Sequence, residues 1–235
     1  TLLSQADSCI GSKSSINVGQ TKNIVGTFTP PNEVYVSTRF LDTLSEPDIR
    51  SGVGEILKVH AIAGQEAFAE ISQAYSALFS ERPEMIKAIH RALEIKKAYI
   101  EKDEFDRGPR NIFNYGHSFG HAIEAATEFA IPHGIAVTIG MDMANFVSRS
   151  LNFGREDVFD QMHPTLQENY RGFELTAVPM DGFVNAILKD KKNTGSQQLT
   201  LILPDKSGAL AKTIIPNDDS FQSACEEYLT SARLS

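Results

Sequence analysis

The sequence predicts a mixed α/β segment over residues 1–44, then a mainly α-helical body over residues 45–235 with one short β-hairpin near its end. Three observations carry this. A β-branched and aromatic run stands at Val34-Tyr35-Val36-Ser37-Thr38. A helix-start signal at Ser45-Glu46-Pro47-Asp48 opens a series of long segments with apolar residues at helical spacing. Late in the chain, Leu199-Thr200-Leu201-Ile202-Leu203 and Lys212-Thr213-Ile214-Ile215 flank the turn residues Pro204-Asp205-Lys206-Ser207-Gly208.

In chain order, Gly11-Ser12-Lys13-Ser14-Ser15 reads as a polar turn of small residues. Lys22-Asn23-Ile24-Val25-Gly26 leads into Phe28-Thr29-Pro30-Pro31, a loop that proline keeps out of helix. The run at 34–38 reads as a buried strand, because branched and aromatic side chains pack well on a pleated surface. At 45–48 the serine can cap, the proline suits a first turn, and the acids meet the positive end of the helix dipole. The helix continues over 49–63. Further helical periodicities cover 68–79, 84–102, 116–129, 134–150 and 181–188, and a last helix covers 220–232. The two late apolar runs pair through their turn.

Composition narrows the function classes. A net charge of −8 argues against nucleic-acid and anionic-membrane partners, which want a basic surface. It leaves room for a local basic cluster that binds a small anion. No apolar run approaches the ~20 residues of a membrane span. With Cys9 and Cys225 as the only cysteines and no basic-then-apolar leader, a reducing cytoplasm is expected. The chain opens on Thr1-Leu2-Leu3-Ser4-Gln5, already in the rhythm of an ordered element, so an upstream portion is expected.

The densest chemistry lies in Asn114-Tyr115-Gly116-His117-Ser118-Phe119-Gly120-His121-Ala122-Ile123-Glu124. His117 and His121 sit one helical turn apart on one face, and the glycines allow close backbone approach. A zincin helix would carry glutamate directly after the first histidine, where Ser118 stands, so a metalloprotease is disfavoured. Pro132-His133-Gly134 sets another histidine at a loop-to-helix junction, and Gly54-Glu55-Ile56-Leu57-Lys58 sets a carboxylate and a lysine on an otherwise apolar helix. On pattern alone His117 with His121 is the natural chelating pair, while Glu55 could simply pair with Lys58. His60, His90 and His163 read as surface or internally satisfied histidines.

The run Arg110-Asn111-Ile112-Phe113-Asn114 through Glu124 closely resembles the signature of 3-dehydroquinate synthases and related sugar phosphate cyclases. So do Asp7-Ser8-Cys9-Ile10-Gly11-Ser12-Lys13, Lys22-Asn23, Gly54-Glu55-Ile56-Leu57-Lys58, His133-Gly134 and Asp190-Lys191-Lys192, in family order and with family-like spacing. The resemblance implies that residues 1–44 are the remnant of a Rossmann-like NAD domain, ahead of a helical metal- and substrate-binding domain over 45–235. It implies metal ligands at Glu55, His117 and His133, binding Zn2+ or Co2+. His121 then becomes a catalytic residue beside Lys58, Lys96, Arg110 and Asn114. Substrate contacts fall on Lys13, Asn23, Lys191 and Lys192. Cofactor contacts fall on Thr1, Asp7, Lys13, Lys22, Phe40, Leu41, Asp42 and Thr43. The implied reaction converts a seven-carbon phosphorylated keto acid (DAHP) to 3-dehydroquinate and phosphate in the shikimate pathway, with NAD regenerated in each turnover. A homodimer is implied, with a small phosphorylated sugar acid as partner and much of the NAD domain upstream of Thr1. Without that portion and its glycine-rich phosphate loop, the chain alone is expected to bind NAD poorly.

Departures from the family pattern flank the site. Ser12 stands where a second glycine is usual, Ile135 where glutamate is common, and Val59-His60 where a tyrosine-glycine-like pair is usual. These fit a specialised cyclase. Keeping Lys58, Arg110, Asn114 and the Lys191–Lys192 pair favours a carboxylate-bearing substrate over the 2-deoxy-scyllo-inosose and valiolone branches. A metal-dependent polyol dehydrogenase would need the metal but not the basic cluster, and a non-catalytic metal-binding fragment would need neither substrate nor NAD.

Overall fold

The structure, a computed structural model, describes residues 1–18, 21–189 and 198–234; the side chains of residues 17, 18 and 21–24 lie outside that description. The chain opens with a short π-helical turn, Ser4–Ser8, followed by strands β1 (Lys13–Val18) and β2 (Thr21–Phe28). These form an antiparallel hairpin in which Ile16 faces Val25. A 3-10 turn, Thr38–Leu41, leads to helix α1 (Glu46–Ala63). Helices α2 (Gln65–Gln73), α3 (Ala77–Ser80) and α4 (Arg82–Lys102) follow. A 3-10 segment, Pro109–Asn114, feeds α5 (His117–Ala126), and then come α6 (His133–Ser150), α7 (Asp157–Tyr170) and α8 (Met180–Leu188). The hairpin β3 (Gln198–Pro204) with β4 (Leu210–Pro216) and helix α9 (Asp219–Thr230) complete the chain.

The helical body follows the sequence expectation closely. Ser45 Oγ accepts from the Asp48 N–H and Pro47 sits in the first turn of α1, as the start signal required; such a cap contributes about 1 kcal/mol. The late strands pair antiparallel, Leu201 opposite Thr213. Helix α6 is buried along nearly its whole length and is the core axis. Helices α1, α5, α7 and α9 and strand β3 all pack on it. An internal helix of this kind loses its polar face, which is why its apolar residues run almost continuously.

Several expectations are corrected. Residues 34–37 join no strand among the described residues, Thr38 already opens the 3-10 turn, and Val34, Tyr35 and Val36 are exposed. A strand needs a neighbouring backbone to satisfy its N–H and C=O groups, and here none lies alongside. Residues 1–44 hold an antiparallel hairpin and short turns, with no parallel strand pair among the described residues, so a Rossmann-like unit is not seen. Leu2 and Ala6 pack in the same core as residues of α1 and α6. The predicted helix over 68–79 is broken between α2 and α3. Helix α7 was not anticipated, because Pro164 lies inside it and proline withholds an N–H from the ladder.

Candidate metal centre and active site

The candidate site forms where α1 meets the first turns of α5 and α6. Close approach of these helices depends on small residues beside the chemistry. A Cβ on Gly134 would fall 1.8 Å from the Ser51 carbonyl oxygen, so α6 begins in backbone contact with α1. Gly134 N–H donates to Ser51 Oγ at 2.9 Å, which pins the junction. Gly116 takes a left-handed φ of 73° that turns the chain into α5, and His117 opens that helix. A Cβ on Gly54 would likewise fall 2.2 Å from the Gly134 carbonyl oxygen, so Glu55, His117 and His133 each adjoin a close-contact glycine: Gly54, Gly116 and Gly134.

The donor atoms then converge. Glu55 Oε1 lies 3.6 Å from His117 Nε2 and 3.5 Å from His133 Nε2. These separations are long for hydrogen bonds, and Oε1 is a buried oxygen with no hydrogen-bond partner. A tetrahedral ion with bonds of about 2.1 Å sets neighbouring donors roughly 3.4 Å apart. The spacing therefore suits a cation held between the three atoms, and an orphaned buried carboxylate oxygen is otherwise costly. Both histidines are held from behind. His117 Nδ1 lies 3.2 Å from the Tyr115 carbonyl and His133 Nδ1 lies 3.2 Å from Glu124 Oε1.

Protonation follows from the surroundings. Burial alone would raise the Glu55 carboxyl, but the Lys58 ammonium and the nearby His133 ring outweigh it and hold Glu55 well below the usual carboxylate range. Burial, reinforced by Lys58, pushes His117 well below the ordinary imidazole value, leaving it neutral as a metal ligand must be. At His133 burial acts downward, yet Glu124 and Glu55 dominate and raise it to about 9.

His121 belongs to the same cluster. Donor nitrogens of His117, His121 and His133 all lie within 4.8 Å of one another. The His121 ring stands 5.4 Å from the His117 ring and stacks on His133 at 5.7 Å. Two donor sets thus overlap: Glu55 with His117 and His133, and the three histidines. The unpartnered Oε1 of Glu55 favours the first.

A row of cations borders the cluster. Lys58 Nζ donates to Glu55 Oε2 at 2.5 Å and to Asp7 Oδ2 at 3.1 Å, and it is almost fully buried. Burial would depress Lys58, but Asp7 and Glu55 raise it, so it is charged. Lys96 Nζ lies 2.6 Å from Asp7 Oδ1 and donates to the Asp7 carbonyl at 2.5 Å. For Lys96 burial wins and its value falls. The Arg110 guanidinium packs on Gly11 and donates to the Gly11 and Glu104 carbonyls at 2.8 and 2.6 Å.

The remaining expected residues are more scattered. Asn114 donates to the Asn111 carbonyl, one turn ahead of His117. Lys13 pairs with Asp106 at the surface. Thr1 bonds Ser4, Phe40 is exposed, and Asp42 pairs with Arg82. Leu41 and Asp42 line an open groove of about 730 Å³ with Arg50, Tyr75 and Arg82. Thr43 sits in the exposed turn before α1. The side chains of Lys22 and Asn23, and all of Lys191 and Lys192, lie outside the described residues. His60, His90 and His163 lie elsewhere: His60 Nδ1 meets the Ile56 carbonyl, His90 faces Glu94 at 3.6 Å on the surface, and His163 Nδ1 meets Asp142. Glu124 was missed. Its signal was available, since it follows His117 and His121 on one helical face at i, i+4 and i+7.

The chain matches the 3-dehydroquinate synthase N-terminal family over residues 1–51 and the 3-dehydroquinate synthase C-terminal family over residues 52–193. It is 37% identical over 211 residues to the 3-dehydroquinate synthase of Dictyoglomus turgidum, covering 88% of this chain and 59% of that protein. It is 33% identical over 221 residues to that of Alkaliphilus metalliredigens, covering 93% of this chain and 62% of that protein. The chain thus spans about three-fifths of the length of these curated relatives. Its fold is similar to the valiolone synthase ValA of Streptomyces hygroscopicus, solved with NAD+ and Zn2+ (TM-score 0.84, 21% identity, 97% of this chain and 64% of that chain). It is also similar to a 2-deoxy-scyllo-inosose synthase complexed with carbaglucose-6-phosphate, NAD+ and Co2+ (TM-score 0.80, 22% identity, 97% of this chain and 65% of that chain). With both family parts matched in order along residues 1–193, the chain belongs to the 3-dehydroquinate synthase family.

Proposed function

We propose that this chain forms the metal- and substrate-binding part of an enzyme that converts the seven-carbon phosphorylated keto acid DAHP to 3-dehydroquinate and phosphate. One observation carries the reading: the unpartnered Glu55 Oε1 facing two histidine Nε2 atoms, with Lys58, Lys96 and Arg110 buried alongside. Glu55, His117 and His133 would hold the ion. A divalent metal bound there supplies a Lewis acid for a substrate oxygen.

The chain's own residues do the rest. Lys58 Nζ neutralises Glu55 and Asp7 and holds Glu55 in place. Lys96 and Arg110 give an acidic protein the local positive field that a phosphate and a carboxylate require. His121, edge-on to His117 and stacked on His133, moves a proton at its ring nitrogen between substrate and solvent. Asn114 orients the substrate by hydrogen bonding. NAD+ is bound in the two solved cyclases, and this reading takes its cofactor from them. The described residues show no glycine-rich strand-to-helix turn to cradle its pyrophosphate, and Asp7 is engaged by two lysines.

Calorimetric titration of DAHP into the zinc-loaded chain tests the reading. Binding that falls at least tenfold in Lys96→Met is expected; equal affinity in wild type and variant contradicts it. In turnover, phosphate release without net NADH supports the cyclase, whereas NADH accumulation indicates a polyol dehydrogenase.

A further inference from the structure

We propose that Glu124 is a positioning residue of this metal centre, accepting from His133 Nδ1 so that Nε2 faces the ion. The inference rests on the metal reading above and deepens it. Glu124 lies near the end of α5 and is 4% exposed. A carboxylate so deeply buried on an inward helix face is costly unless it has a partner. His133 is such a partner, its Nδ1 lying 3.2 Å from Glu124 Oε1.

The local fold is built to make this contact. After α5, Glu128 and Phe129 both take left-handed backbone, with φ of 52° and 63°. The Phe129 N–H donates back to the Glu124 carbonyl at 2.7 Å. This tight reversal returns the chain so that His133, nine residues on, opens α6 beside Glu124. Ile131, buried within the reversal, anchors it.

An imidazole can present either nitrogen, and an acceptor at one fixes the proton there and the lone pair at the other. Nδ1 of His117 is held by a backbone carbonyl, which no substitution removes. Nδ1 of His133 is held by a side chain and can be tested. Carboxylates in this position also raise the basicity of the ligand, and their loss typically weakens metal binding about 10–100-fold.

The test uses the zinc-loaded chain with chelator competition and nitrogen-15 NMR of the imidazoles. Glu124→Ala is expected to weaken zinc 10–100-fold and to abolish the downfield His133 Nδ1–H resonance, assigned by its loss in His133→Ala. Glu124→Gln keeps an acceptor at the same place and is expected to retain that resonance and most of the affinity. In a His133→Ala background, Glu124→Ala should change zinc affinity less than twofold. Equal weakening in both backgrounds would show that Glu124 acts through the fold, and would overturn the inference. Unchanged zinc affinity in Glu124→Ala beside a large loss in His133→Ala would overturn it while leaving the ligand set standing. Unchanged affinity in His133→Ala would remove the ligand set itself.

Discussion

Gly134→Ala separates the helices that build the metal centre. The added Cβ would lie 1.8 Å from the Ser51 oxygen and 2.6 Å from the Ser51 carbonyl carbon. Both are backbone atoms, so no side chain can swing aside. Restoring a 3.4 Å contact requires a retreat of roughly 1.6 Å at the start of α6. His133 is the adjacent residue and moves with it. The 3.5 Å between His133 Nε2 and Glu55 Oε1 would open toward 5 Å. Two bonds of about 2.1 Å span at most ~4.2 Å, so one ion could no longer bridge them. Overpacking of this kind costs about 1–3 kcal/mol, and each kcal/mol lowers the melting temperature of a chain this size by about 2–4 °C. The assays are zinc affinity by chelator competition and thermal melting by circular dichroism. Gly182→Ala is the control, because its Cβ meets nothing nearer than 3.5 Å within α8; it should gain up to about 1 kcal/mol of helix propensity. Wild-type zinc affinity in Gly134→Ala would refute the proposed dependence of the site on this helix contact.

Three further outcomes follow from the geometry. Zinc must displace the proton that Glu124 and Glu55 hold on His133, whose value is raised to about 9. In the metal-free chain that group's stabilisation is full below its unfolded value near 6.5 and is lost as pH rises through about 9. Apparent zinc affinity should therefore climb over this window, with calorimetry in buffers of different ionisation enthalpy showing proton release below pH 9; a pH-independent affinity contradicts this. Lys58→Met strips the shared cation from Glu55 and Asp7. Breaking a buried pair costs about 3–5 kcal/mol, and zinc should recover more stability in this variant than in wild type, which paired melts with and without zinc would read. Tyr228→Phe removes one of three donors to the fully buried Asp142, beside His163 and Tyr170. A hydrogen bond to a charged group contributes about 1.5–3 kcal/mol, so a melting point within 1 °C of wild type would show that this network does not brace α6 against α7 and α9.

The helical body was readable because its signals are local. A cap and a proline marked α1, and turn residues between apolar runs marked the late hairpin. Residues 34–38 misled because β propensity reports what a strand would pack well, not whether a neighbour is present to pair with it. Helix α7 hid behind Pro164, whose cost the burial of Phe159, Met162 and Leu166 offsets. At the site, spacing alone pointed to His117 with His121. Glu55 lies 62 positions from His117 and carries no spacing signal, so only the family resemblance brought it in. Structure adds what neither could give. Glu55 divides its two oxygens, one to Lys58 and one toward the histidines, and Glu124 stands behind His133.

The central claim is tested most directly by metal content and x-ray absorption of the zinc-loaded chain across Glu55→Ala, His117→Ala, His133→Ala and His121→Ala. One ion per chain is predicted, with two imidazole nitrogens and one carboxylate oxygen from the protein. Binding should be lost in the first three variants and kept in His121→Ala. Loss of the ion in His121→Ala, with retention in Glu55→Ala, would place the metal on the three histidines and contradict the assignment.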